Sequence, residues 1–302
     1  MNIALVSHRP AGAEEAWSTP MGLSAALASE GARVVSYPFA NPAAVTLPSL
    51  PQLLADQIDA VLIFYAGPSL SLDAELIKLR LMIDAQQSGL KIICELGDEP
   101  QTRRHNATRV QISDLCLSPD HPSVLQWRSL GAPCVWYTHW ADTSVFSESQ
   151  DVLRDQFVVT TMGRRRYATR LRLLLGRHFE NRQCRGTENG IFYSKGLIAF
   201  QYARWNEITR RVFEAAACGC CILTNRLPSA TRMEEIFPAD VAIVYYEGFF
   251  SLLIALWKLM TKPALRQAIA REGQRRVLLG HTQLIRAQQL LSYLSTMDKA
   301  MP

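Results

Sequence analysis

Residues 205–224, with the sequence WNEITRRVFEAAACGCCILT, decide the fold of the second half of this chain. Residues 207–218 predict a helix that ends at Gly219, and the apolar residues 221–224 that follow predict a buried strand. Another strand is predicted just before this segment, at 197–202. Strand, helix and strand in this order indicate a parallel sheet, because a parallel connection needs a crossover such as a helix.

The same alternation runs along the whole chain. Strands are predicted at 3–7, 34–39, 60–65, 91–96, 114–118, 134–137, 156–161, 197–202, 221–224 and 241–245. Helices are predicted at 20–29, 72–87, 122–130, 167–179, 207–218, 249–260, 264–279 and 282–297. We therefore expect an α/β protein with two Rossmann-like parallel-sheet domains that face each other across a cleft. The predicted domains are residues 1–150 and 151–281, followed by a C-terminal helical segment at 282–302.

Composition indicates an ordinary globular protein of 302 residues, with 48% hydrophobic and 20% charged residues. Its apolar stretches are much shorter than the roughly 20 residues that a membrane span needs. The seven cysteines are scattered, which suits reduced thiols and a cytoplasmic protein. Cys218 and Cys221 form a C-x-x-C motif, but without a second ligand pair we favour core packing over a metal or redox site.

Charge is distributed unevenly between the two halves. Residues 1–150 carry 9 Lys and Arg against 15 Asp and Glu, whereas residues 151–302 carry 23 against 12. A basic second half predicts an anionic ligand there. Both a phosphorylated small molecule and a nucleic acid satisfy this prediction.

Two polar side chains of the central predicted helix point to a ligand site. Arg211 and Glu214 are three residues apart and therefore share a helix face. Arg211 can bind phosphate oxygens, and Glu214 can accept hydrogen bonds from the hydroxyls of a ribose. The helix N-terminus, at residues 206–209, can offer backbone N–H groups to a diphosphate. On spacing alone, a surface ion pair is the simpler interpretation.

The same stretch closely resembles the signature of GT-B glycosyltransferases related to the spore-maturation (CgeB-like) type and to the large group 1 of glycosyl transferases. The pattern NEIxxRVFExxACG at 206–219 carries the resemblance, supported by 264–291 and, less tightly, by ELGDEP at 95–100 and WAD at 140–142. The large retaining group usually carries a second glutamate at the position of Asn206, and Glu207 is one residue off that spacing. The stereochemistry of transfer therefore stays open.

The resemblance implies a hexosyl- or pentosyltransferase that moves a sugar from a nucleotide diphosphate sugar, a UDP-sugar above all, to a hydroxyl acceptor. It places Glu214 at the nucleotide ribose and Arg211 beside the phosphates, with Asn206 and Glu207 near them, and it implies that the last helix crosses back to the first domain. The acceptor is a glycan, a small molecule or a hydroxymethylated DNA base, since phage transferases that glycosylate modified DNA bases share this architecture. The alternative is a non-catalytic protein that binds nucleotide sugars or nucleic acid.

An arginine-rich segment lies at 163–185, with eight arginines and a single acid. Arg164, Arg165 and Arg166 follow a predicted strand, where a phosphate-binding loop would lie. We expect one or two of them to neutralise the diphosphate, so that neither a metal nor a cofactor is needed. The other arginines predict either a solvated helix face or a contact with DNA or RNA.

Two residues of the first domain are candidates for a catalytic base, which an inverting transfer requires. Asp98 lies in the loop after the predicted strand 91–96, and His8 ends the first strand, so both fall at carboxyl ends of strands. A turn-capping role before Pro100 is the alternative for Asp98. A hydrogen-bonding loop histidine is the alternative for His8, and a retaining reaction can proceed without either base.

Overall fold

The computed structural model describes residues 1–8, 22–40, 47–64, 72–97, 99, 102–149, 151–161, 167–182, 184 and 187–299. The chain divides into two compact units, Met1–Thr138 with Gln283–Pro302, and His139–Thr282. Each unit is built on one parallel sheet covered by helices, so the predicted fold of two parallel-sheet α/β domains is confirmed. Within the described ranges, no helix is long and apolar enough to span a bilayer.

The first unit contains a six-stranded sheet in the order β2-β1-β3-β4-β5-β6, with every neighbouring pair parallel. Its strands are β1 (Asn2–His8), β2 (Arg33–Phe39), β3 (Ala60–Ile63), β4 (Lys91–Glu95), β5 (Leu115–Ser118) and β6 (Cys134–Trp136). Its helices are α1 (Leu23–Ser29), α2 (Leu50–Ala55), α3 (Leu72–Gln87), α4 (Arg103–Gln111), α5 (His121–Ser129) and the C-terminal α12 (Gln283–Lys299). Most of these strands are nearly continuous apolar runs, as expected for a parallel sheet that is covered on both faces.

Helix α12 is fastened to the rest of the first unit by Arg286. The buried guanidinium donates from Nε to the Thr138 carbonyl at 3.0 Å, and its Cζ lies 5.7 Å from the centre of the Tyr137 ring. The Tyr137 hydroxyl in turn donates to the Arg286 carbonyl at 2.8 Å. These contacts hold α12 against the end of β6, while α12 also packs on α1.

The second unit contains a five-stranded parallel sheet in the order β11-β10-β9-β7-β8. Its strands are β7 (Gln156–Thr160), β8 (Phe179–Asn181), β9 (Gly196–Phe200), β10 (Cys221–Asn225) and β11 (Val244–Tyr246). Its helices are α6 (Ala168–Leu175), α7 (Thr187–Ser194), α8 (Arg210–Ala217), α9 (Met233–Ile236), α10 (Phe249–Thr261) and α11 (Pro263–Gly280). Because parallel crossovers are right-handed, α6 covers one face of this sheet and α7, α8 and α9 cover the other.

Three predicted elements are shorter in the structure because a residue with positive φ interrupts them. The helix predicted at 167–179 ends at Leu175, because Gly176 has a positive φ of 52°, and β8 follows it. The helix predicted at 207–218 begins only at Arg210, since Asn206 is left-handed with φ 56° and Thr209 is extended. The strand predicted at 241–245 begins at Val244, because Asp240, with φ 57°, turns the chain just before it.

The cysteines are all free thiols, and six of the seven are buried. Cys94, Cys116 and Cys134 lie opposite one another on neighbouring strands of the first sheet. Burial raises the pKa of each of these three thiols, that of Cys134 to about 12. They are therefore protonated, unreactive members of the hydrophobic core.

Candidate functional site

A hydrogen-bonded cluster lies at the carboxyl ends of the strands of the second sheet, where ligands of parallel sheets bind. The buried Tyr193 hydroxyl lies 3.0 Å from Oγ1 of Thr161, the residue after β7. Gln201, which follows β9, donates from Nε2 to the same hydroxyl at 3.3 Å. Its carbonyl accepts from the hydroxyl of Tyr246, at the end of β11, at 3.0 Å. These bonds join the ends of three strands into one fixed polar floor.

The loop between β9 and α8 is anchored next to this floor. Asn225, the last residue of β10, bonds the backbone of Ala203 through both its side-chain oxygen and its side-chain nitrogen. Asn206 then adopts the left-handed conformation, which asparagine tolerates better than most residues. Helix α8 begins directly after this loop, and its N-cap residue Thr209 makes no side-chain capping bond. Residues 206–209, predicted to form the start of the helix, therefore form the loop that leads into it.

Glu214 is the central charged group of α8. Its side chain lies on the buried face of the helix, and the residue is only 5% exposed. Burial raises the pKa of its carboxyl above the ordinary 4.5, while the positive charges of Arg210 and Arg211 oppose the shift. Within the described part of the chain, no group donates a hydrogen bond to this carboxylate. A buried carboxylate without a donor is costly, unless a ligand supplies the missing hydroxyls.

Arg211 lies one helical turn before Glu214 and is exposed. The two side chains form no ion pair, although the guanidinium charge acts on the carboxylate. The interpretation of the two residues as a surface ion pair is therefore wrong, because one partner is buried. Arg211 remains available to an anionic ligand that approaches Glu214.

The C-terminal end of α8 is held by a residue that the sequence analysis did not single out. Arg154 donates to the carbonyls of Cys218 at 2.6 Å, Gly219 at 3.2 Å and Gly196 at 2.8 Å. A cation at this end also complements the helix dipole. A Cβ at Gly219 would lie 2.6 Å from the Arg154 guanidinium, and Gly219 has a φ of 76°. Glycine at this position thus permits the contact that fixes α8.

The other predicted binding residues are placed as follows. Asn206 is exposed and Glu207 is half-buried, both in the loop before α8. Arg164, Arg165 and Arg166 lie outside the described residues, as does Asp98. Among the described residues, no group of three or more His, Cys, Asp or Glu side chains could hold a metal ion.

His8, the second candidate base, ends β1 in the first unit. Its Nε2 lies 3.2 Å from the Ala40 carbonyl, and its ring centre lies 5.7 Å from that of Phe39. These contacts agree with the alternative of a hydrogen-bonding histidine that stabilises the chain around β2.

Glu99, the neighbour of Asp98, is buried and contacts side chains of helix α4. It is 1% exposed, accepts a hydrogen bond from Asn106 at 2.6 Å, and lies 3.5 Å from the Arg103 guanidinium. Burial raises the pKa of Glu99, while the Asn106 bond and the Arg103 charge oppose the shift. This carboxyl thus ties the loop after β4 to helix α4.

Sequence reasoning missed Tyr193 and Gln201, the two side chains beside the strand ends. Tyr193 belongs to α7, a helix with no clear signal in the sequence, and Gln201 follows a strand whose neighbours depend on the sheet order. Their meeting depends on β7 lying between β8 and β9, so no local spacing reveals it.

Comparison with known families gives one match. Residues 150–292 match the family model described as glycosyl transferase-like, which covers slightly less than half of the chain. Comparison with the sequences of curated proteins returns no match.

Solved structures of similar fold extend over the whole chain. Sucrose-phosphate synthase from Thermosynechococcus elongatus is 13% identical, with 99% of each chain covered and a TM-score of 0.64. HepE from Anabaena, in complex with UDP and glucose, is also 13% identical, with 98% of this chain and 100% of that chain covered and a TM-score of 0.65. A putative UDP-N-acetylglucosamine 2-epimerase from Listeria monocytogenes is 11% identical, with 100% and 97% covered and a TM-score of 0.62. At such low identity the likeness shows the GT-B fold alone.

Proposed function

We propose that this protein is a glycosyltransferase that moves a sugar from a nucleotide diphosphate sugar to a hydroxyl acceptor. The observation that carries the proposal is the Glu214 carboxylate, which is buried on α8 without a hydrogen-bond donor in the described chain. The two hydroxyls of a ribose would supply such donors. The glycosyl transferase-like match at 150–292 includes this helix and supports the assignment.

In this proposal the second unit binds the donor. Glu214 accepts from the ribose hydroxyls, and Arg211 lies beside the diphosphate, together with Asn206 and Glu207 of the loop before α8. Arg164, Arg165 and Arg166 contribute further positive charge. Because these groups and the start of α8 balance the phosphate charge, the transfer needs no metal.

UDP-sugars are the donors we favour, since HepE has been solved with UDP and with UDP-glucose. The chain would then be a hexosyl- or pentosyltransferase of the spore-maturation (CgeB-like) or group 1 type that acts in the cytoplasm, where free thiols persist. The acceptor would be a glycan, a small molecule or a modified DNA base. Asp98 is the proposed base for an inverting reaction, and His8 is the next candidate.

The test begins with ligand-induced stabilisation. A ligand that binds only the folded state raises the melting temperature, and a concentration 100 times its Kd adds about 2.7 kcal/mol. We expect UDP and UDP-sugars to stabilise the chain, and Glu214→Gln to lose most of that shift. The proposal would be contradicted if no nucleotide and no nucleotide sugar raised the melting temperature.

A second assay separates the possible reactions of a nucleotide-sugar binder. The protein is incubated with each stabilising UDP-sugar, and free UDP and the sugar are measured by chromatography. Slow release of UDP without an acceptor supports transfer. A changed sugar still joined to UDP would indicate an epimerase of the same fold, and binding without any product would indicate a non-catalytic protein.

A further inference from the structure

Helices α6 and α10 cover the same face of the second sheet. Leu171 of α6 and Leu256 of α10 belong to one hydrophobic core with alternate residues of the strands. The two helices also approach each other at their starts, where the ring centres of Tyr167 and Phe249 are 5.4 Å apart and Arg170 lies 5.1 Å from the Phe249 ring. Their outward sides therefore belong to one surface. This surface lies on the face of the sheet opposite α8 and Glu214.

The outward side of these two helices is unusually apolar. Phe250, Ile254 and Trp257 follow one another along α10 at helical spacing and are 82%, 68% and 64% exposed. On α6, Leu173 and Leu174 are 82% and 60% exposed. We call these five side chains the apolar face. A cluster of large exposed apolar side chains marks an interaction surface, whereas single exposed leucines occur on all proteins.

The charges around the apolar face are almost all positive. Neither α6 nor α10 contains an acidic residue. Arg170 and Arg172 of α6 are exposed, as is Lys262 after α10. Of the acids nearest to α10 in sequence, Asp240 pairs with Lys258 of α10 and Glu247 pairs with Arg226, so neither is paired with Arg170, Arg172 or Lys262. The surface therefore combines aromatic and aliphatic side chains with unopposed positive charge.

We propose that the apolar face binds the surface of a lipid bilayer that contains anionic lipids. Aromatic and aliphatic side chains enter the boundary between headgroups and acyl chains, while the flanking cations attract anionic headgroups. A nucleic acid would satisfy the arginines but would leave Phe250, Ile254 and Trp257 in water. An anionic bilayer surface would bind the arginines of the segment 163–185 and would also cover Leu173 and Leu174, the exposed leucines between them.

The experiment uses the full chain and vesicles of two compositions, phosphatidylglycerol with phosphatidylcholine in equal parts, and phosphatidylcholine alone. Sedimentation with the vesicles gives the partition coefficient. We expect binding to the mixed vesicles that weakens with salt. Replacing Phe250, Ile254 and Trp257 together by Ser lowers the partition coefficient at least about 100-fold, because each such side chain contributes roughly tenfold when it leaves water.

Two further variants sharpen the result. Arg170→Gln with Arg172→Gln lowers binding to the mixed vesicles by about fivefold for each cation removed. The matched control replaces three exposed apolar side chains of the first unit, Leu76, Ile77 and Leu125, by Ser and keeps full binding. All replaced apolar side chains are exposed, so the melting temperature should hardly change, and melting curves on the same preparations check this.

Several outcomes would overturn the proposal. The first is that the chain does not bind the mixed vesicles. The second is that the control variant loses as much vesicle binding as the Phe250, Ile254 and Trp257 variant. The third is that the chain binds both lipid compositions and that neither salt nor the arginine substitutions weaken this binding. A dimer that dissociates in the Phe250, Ile254 and Trp257 variant, measured by light scattering, would assign the face to a second copy of the chain. Duplex DNA binding that needs Arg170 and Arg172 but not the apolar side chains would assign it to nucleic acid. None of these readouts depends on sugar transfer.

Discussion

The side-chain amide of Asn225 pairs with both backbone polar groups of Ala203. The Ala203 N–H donates to Oδ1 at 2.8 Å, and Nδ2 donates to the Ala203 carbonyl at 3.2 Å. Asn225 ends β10, whereas Ala203 lies in the loop that leads from β9 to α8. This pair therefore determines the path of the loop that carries Asn206 and positions the start of the Glu214 helix.

Asn225→Ala should loosen this loop. It removes both bonds and leaves two backbone groups without their partner, which costs roughly 1–3 kcal/mol. We expect a lower free energy of unfolding in urea and weaker UDP binding. Asn225→Asp keeps the acceptor but loses the donor, so its effect should be intermediate. Equal stability of all three proteins would show that the pair does not hold the loop.

Glu214→Gln should weaken UDP binding by about 1–3 kcal/mol, because the ribose hydroxyls lose a charged acceptor. Isothermal titration calorimetry measures the change. Glu234→Gln is the matched control, since Glu234 is an exposed glutamate of the same unit that pairs with Arg226. If both variants bind UDP as the unchanged protein does, Glu214 does not contact the ribose.

The same substitution should have a pH-dependent effect on stability without ligand. Folding raises the pKa of Glu214 above 4.5, so the folded chain binds this proton more tightly than the unfolded chain. The contribution of Glu214 to stability is therefore most favourable below pH 4.5 and is lost as the pH rises through the folded-state pKa. Glu214→Gln should melt above the unchanged protein at neutral pH, and the difference should shrink as the pH falls to about 4. A constant difference across this range would show that burial does not penalise the charged form of Glu214.

Whether a strand of the two sheets could be predicted from the sequence depends on how much of it is buried. All six strands of the first unit were predicted. Four of them, β1, β3, β4 and β5, are buried almost throughout, and a strand buried on both faces is a continuous apolar run. Strand β8 was missed, since it has three residues of which only Phe179 is buried. Helix α4 was missed as well, because its sequence RRHNATRVQ has few apolar residues and two of its buried residues, Asn106 and Arg109, are polar.

Only part of the candidate site could be predicted from the sequence. That Arg211 and Glu214 lie one helical turn apart on α8 follows from their spacing, which is a local property. That Glu214 is buried without a donor does not follow, because its surroundings depend on which elements of the second unit pack around α8. The polar floor of Thr161, Tyr193 and Gln201 likewise depends on the sheet order and not on any motif.

Sugar transfer should persist in excess EDTA. Arg211, the arginines at 164–166 and the start of α8 are proposed to carry the positive charge that a metal supplies in other transferases. Initial rates with and without the chelator, on protein dialysed against EDTA, measure the dependence. Loss of activity that magnesium or manganese restores would show that these groups do not suffice.

Asp98→Asn should lower the turnover of transfer by about 10²–10⁴, the usual contribution of a positioned general base, with UDP affinity nearly unchanged. The adjacent Glu99 provides the control, because it is buried and bonded to Asn106. Glu99→Gln should lower the melting temperature but leave the turnover of the folded fraction close to normal. If Asp98 only caps the turn before Pro100, Asp98→Asn will behave like Glu99→Gln, and His8→Ala becomes the next variant to measure. Normal turnover in both Asp98→Asn and His8→Ala would favour a retaining reaction that needs no protein base.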